Sequence, residues 1–68
     1  MSPQRLASMI KAHRKAKGLR RIDLAKAAKV TPAYITQLET GQRKNPSLDI
    51  LRRLARALGV PVTELLLE

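Results

Sequence analysis

The spacing of its prolines and glycines leaves this chain room for short helices and little else. Ser2-Pro3 and Thr31-Pro32 each set a hydroxyl residue ahead of a proline. That is the pattern of a helix N-cap followed by a first position where a missing N–H does no harm. Gly18, Gly41 and Gly59 fall where a helix would need a left-handed residue in order to stop. Leu6, Met9 and Ile10, with the 13/14 pair one turn on, recur at helical spacing and predict a first helix over 3–17. A second starts near Arg20 or Arg21 and runs to Ala28, with Leu24, Ala25 and Ala28 inward. Its start is read as poorly capped, because neither arginine can accept a backbone hydrogen bond. The turn Lys29-Val30-Thr31 leads to a third helix over 32–40. Beyond the polar loop of residues 42–46, Ser47 caps a fourth, with Asp49 in its first turn and Leu48, Leu51, Leu54, Ala55 and Leu58 along one side. A last short helix after Val60-Pro61 turns Val62, Leu65 and Leu66 inward. With no strand signal and no repeat, the expectation is all-α: a compact five-helix domain over 1–68.

Composition narrows what such a bundle can do. A 68-residue core contributes only a few kcal/mol (~3–5), so caps and individual leucines matter. There is no cysteine, and His13 is the only histidine, which leaves no metal set and no Ser-His-Asp arrangement. No cofactor, metal, small-molecule ligand or enzymatic chemistry is therefore expected. No apolar run approaches the roughly 18–20 residues that cross a bilayer, and MSPQRL lacks the apolar stretch of a secretory leader. A soluble cytoplasmic protein is expected. Against five acidic residues stand fourteen Lys and Arg, a formal net charge of +9. A field of one sign attracts polyanions, nucleic acid first. Tyr34 is the only aromatic residue, which disfavours modules that stack single-stranded bases on exposed rings. Duplex DNA remains.

The second helix, its three-residue turn and the third helix form the informative unit, since two helices joined this tightly cross steeply and the second can project into a groove. Winding the third at about 100° per residue puts Ile35 and Leu38 on one side and Ala33, Thr36, Gln37 and Thr40 on the other. Small and amide side chains suit base edges better than apolar packing. Gln37 can pair with adenine N6 and N7, Thr36 can bond or offer its methyl to thymine, and Ala33 can offer only a methyl.

At these positions the stretch LAKAAKVTPAYITQLETGQRKNPSLDILRRLARALGVPVTELL resembles the Cro and lambda-repressor-type (XRE) helix-turn-helix family of bacterial and phage regulators. The likeness rests on Leu24-Ala25, the TPAYITQLETG segment, NPSL and the ALGV-x-x-x-x-LL end, and it covers almost the whole chain. It implies a five-helix lambda-repressor-like fold whose third helix reads the major groove. By position, Ala33, Thr36 and Gln37 fall where family members touch bases. Thr31, Tyr34, Thr40, Arg43, Lys44 and Asn45 fall where they touch phosphates. The resemblance also implies an ion pair between Arg14 and Glu39; by winding, Glu39 lies on the inner half of its helix and Arg14 on the core side of the first. Both are read as structural.

Departures from the family pattern carry their own expectations. Arg20 and Arg21 stand where the family has a small cap and a glutamine, which strengthens general attraction to the DNA backbone. Lys29 replaces the turn glycine and must then adopt a left-handed conformation at a cost of roughly 1 kcal/mol. Arg5, Arg20, Arg21, Lys29, Arg43 and Lys44 are expected to supply attraction and register on the backbone. The expected function is sequence-specific binding to double-stranded DNA, as a repressor, antitoxin or restriction–modification controller. The competing reading is a protein-interaction module whose basic face grips an acidic partner. A homodimer through the C-terminal helix is expected, with Leu67 in its seam, or a monomer if the scaffold is engineered.

Overall fold

Three of the helices stop by the same arrangement of backbone bonds, which sets the turns between them. In the computed structural model, which describes residues 3–43 and 46–66, the elements are α1 (Pro3–Ala16), α2 (Arg21–Ala28), α3 (Pro32–Glu39), α4 (Leu48–Leu58) and α5 (Thr63–Leu66). After α1 the Leu19 N–H donates to the Arg14 carbonyl at 3.1 Å and Gly18 N–H to Lys15 at 3.0 Å. After α4 the Val60 and Gly59 amides do the same to Ala55 and Arg56. After α2 the Val30 and Lys29 amides bond Ala25 and Lys26. Each is a Schellman stop, which requires a left-handed residue at its centre. Gly18 and Gly59 provide it at φ 74° and 72°. Lys29 provides it at φ 60°, the one non-glycine positive φ among the described residues.

Capping residues fix the starts. Thr31 Oγ1 accepts from Tyr34 N–H and Ser47 Oγ from Ile50 N–H, both at 3.1 Å. The start of α2 corrects the expectation from sequence. Arg20 contributes no acceptor, but Asp23, three residues on, reaches back and accepts from the Arg20 backbone N–H at 2.9 Å. This is the carboxylate half of a capping box, so the start is capped after all.

Ile10, Leu24, Ile35, Leu38, Leu54 and Leu65 are the largest side chains wholly removed from water. They come from all five helices and form one core, with Leu6, Ala25, Ala28, Leu51, Ala55 and Leu58 completing it. Helix α3 packs against both α1 and α2, while α4 lies on α2 and α5 on α1. Two leucines expected inside are not. Leu48 and Leu66 are 48% and 38% exposed; they occupy the first position of α4 and the last of α5. Leu67 lies outside the described residues. On the flank of α4, Arg53 is half-buried and pairs with Asp49 at 3.4 Å.

Candidate nucleic-acid interface

The α2–turn–α3 unit is held from the inside by a buried charge. Ile35, Leu38 and Glu39 are the buried residues of α3. The Glu39 carboxylate has no exposed surface and receives Arg14 Nε at 2.6 Å and Arg14 Nη2 at 3.1 Å, a two-pronged bond. Arg14 Nη1 donates to the Leu19 carbonyl at 2.8 Å, which fixes the guanidinium in turn. A third group was not foreseen: Arg21, at the first position of α2, gives its Nε to Glu39 Oε1 at 3.0 Å. Burial alone would raise the Glu39 carboxyl, but the bonds from the two arginines outweigh it and hold the group below its ordinary range. One carboxylate thus ties the last turn of α3 to α1 and to the start of α2. Arg21, expected as a simple backbone-attracting cation, is partly committed to this cluster. No local signal joins residues 21 and 39, so sequence reasoning missed the contact.

Small and polar side chains make up the opposite side of α3. Ala33 and Thr40 are exposed, while Thr36 and Gln37 are half-buried. Thr36 Oγ1 donates to the Pro32 carbonyl at 3.2 Å and Thr40 Oγ1 to that of Gln37 at 3.2 Å. With its hydrogen spent on the helix, Thr36 is left with lone pairs and a methyl group to offer a ligand. Gln37 Oε1 accepts from Arg43 Nε at 3.0 Å. The Arg43 guanidinium lies over the Tyr34 ring, 4.6 Å from its centroid. Thr31 and Lys29, in the turn, are both exposed. Lys44 and Asn45 lie outside the described residues.

The arginine at the head of α2 makes an exposed counterpart to the buried cluster. Arg20 Nε and Nη2 donate to Asp23 at 2.9 and 3.0 Å. Those bonds and the one from the Arg20 backbone N–H lower the Asp23 carboxyl to about 2. Asp23, Glu39 and Asp49 all pair with arginines, within a chain whose formal net charge is +9. Among the described residues no cluster of His, Cys, Asp or Glu could hold a metal ion. Nor is any of their helices long and apolar enough to cross a membrane.

Five helices among the described residues, a tight turn between α2 and α3, and an outer face of small and polar side chains on α3 define a helix-turn-helix protein of the lambda-repressor-like class. The chain belongs to the Helix-turn-helix family, whose profile matches residues 10–65. It is 40% identical over 62 residues to the HTH-type transcriptional regulator DdrOP3 of Deinococcus deserti, a match covering 91% of this chain and 47% of that protein. The chain thus spans about half the length of this curated relative. Among solved structures, it resembles the restriction-modification controller protein C.AhdI from Aeromonas hydrophila with a TM-score of 0.88 and 33% identity, covering 93% of this chain and 94% of that one. It also resembles SinR, the master regulator for biofilm formation, in complex with DNA, with a TM-score of 0.85 and 34% identity, covering 90% and 97% of the two chains.

Proposed function

We propose that residues 1–68 act as one DNA-binding domain of a transcriptional regulator in the cytoplasm, without enzymatic activity, and that α3 reads the major groove of duplex DNA. The observation that carries this reading is the two-sided construction of α3. Its inner side is locked by Glu39 to α1 and α2, and its outer side presents Ala33, Thr36 and Gln37 rather than large apolar residues. A rigid helix with small and amide groups outward suits base edges, and the surrounding cations suit phosphates. Ala33, Thr36 and Gln37 contact bases in this reading; Arg20, Lys29, Thr31, Tyr34 and Thr40 fix the register on the backbone. The likeness to regulators, one of them solved on DNA, supports it.

Pairing of two copies through α5 accompanies the proposal, since Leu66 is left exposed on that helix. Selection from a random pool of duplexes at physiological salt tests both parts. A short enriched motif is the expected result, and two symmetric half-sites about one helical turn apart would mark the dimer. Retained binding with no enriched sequence would defeat base reading. Binding of an acidic protein with no such preference on DNA would favour a protein-interaction role instead.

A further inference from the structure

We infer that Arg43 orients the Gln37 amide so that this glutamine reads guanine and not adenine. The inference rests on the base-reading role of α3 and names the base that one of its residues selects. Arg43 is tethered to the third helix in three ways. Its backbone N–H donates to the Gln37 carbonyl at 3.2 Å. Its guanidinium stacks on Tyr34, 4.6 Å from the ring centroid, a contact that favours arginine's planar cation. Its Nε donates to Gln37 Oε1 at 3.0 Å.

A guanidinium has donors only, so the end of the amide that faces it must be the oxygen. The Gln37 Nε2 group, with its two N–H donors, is then the end turned away from Arg43, while the oxygen keeps one lone pair beside the guanidinium. Adenine requires the amide oxygen to accept from N6 while the nitrogen donates to N7. Here that oxygen is already engaged by a cation, and the N6 amino hydrogens would have to approach beside Arg43. Guanine presents N7 and O6, two acceptors, which match an outward-facing N–H donor and gain from the neighbouring positive charge. Arg43 is therefore a positioning residue that changes what Gln37 recognises, beyond any general attraction to phosphate.

The test is selection from a random duplex pool with the wild-type chain, Gln37→Ala and Arg43→Met. The column that Gln37→Ala renders indifferent is the base pair read by Gln37. In the wild type it should hold guanine over adenine by about fivefold or more. Arg43→Met keeps an unbranched stem and removes the donor and its charge; it should move that column toward adenine by a similar factor while the other columns keep their preferences. Adenine in the wild-type column, guanine retained unchanged in Arg43→Met, or no column altered by Gln37→Ala would each overturn the inference. A wild-type pool with no enriched column at all would instead remove the base-reading function, and this inference with it.

Discussion

Two arginine–carboxylate clusters sit beside each other at the head of α2, built from the same chemistry and placed in opposite surroundings. Arg20 grips Asp23 with a fork at 2.9 and 3.0 Å, and Arg14 grips Glu39 with one at 2.6 and 3.1 Å. The Arg20 side chain is 79% exposed, whereas that of Glu39 is wholly buried. Similar bond lengths therefore say little about energetic weight. In water an ion pair replaces hydration that was nearly as good, so it adds little. In the core each charge depends on its partner, and removal of one leaves the other desolvated. The exposed cluster caps a helix; the buried one sets where α3 lies.

Substitutions can break this contrast at graded levels. Glu39→Ala should have the largest effect, lowering unfolding stability by about 3–5 kcal/mol in urea titration, because Arg14 is left buried without its counter-charge. Arg14→Ala should match it closely. A loss as small as that from a surface pair would show that the cluster is wetter than its burial implies. Arg21→Ala removes a bond from a side chain that is 41% exposed, and should cost about 1 kcal/mol. Acid then separates the two carboxylates. Both are held below their ordinary values, 4.5 for Glu39 and 3.8 for Asp23. Their stabilisation is therefore complete above those values and fades as pH falls, for Asp23 down to about 2. Stability followed from pH 6 downward should decline through this window, and Glu39→Gln should flatten much of the decline. Asp23→Asn should have the smallest effect, seen as fraying of the first turn of α2 by amide hydrogen exchange, with the melting transition nearly unmoved.

Legibility in the sequence followed the range of each interaction. Order and approximate bounds of the helices could be read from local marks, because the Thr31 and Ser47 caps and the Gly18 and Gly59 stops act within a few residues. The left-handed Lys29 was legible through the family resemblance, which puts a glycine at that place in the turn. Errors gathered where locality fails. Periodicity placed Leu48 and Leu66 inward, but it carries no information on where a neighbouring helix ends. The Asp23 cap did have a signal, an acid three residues after the N-cap. The site was less readable than the fold. Arg21 with Glu39 and Arg43 with Gln37 depend on how loops return, and no spacing rule reaches across those distances.

The lysine in the Schellman stop after α2 has a consequence for heat tolerance. At φ 60° it occupies a conformation that glycine adopts freely, and its side chain is exposed, so the core would not register its loss. Lys29→Gly should relieve roughly 1 kcal/mol of backbone strain, which in a domain of this size corresponds to melting about 4–8 °C higher. If the turn faces the DNA backbone, the same change should weaken binding to all duplexes alike and reduce the salt slope by about one. Thermal headroom and grip on DNA would then be exchanged at a single position, with the rest of the molecule unaltered.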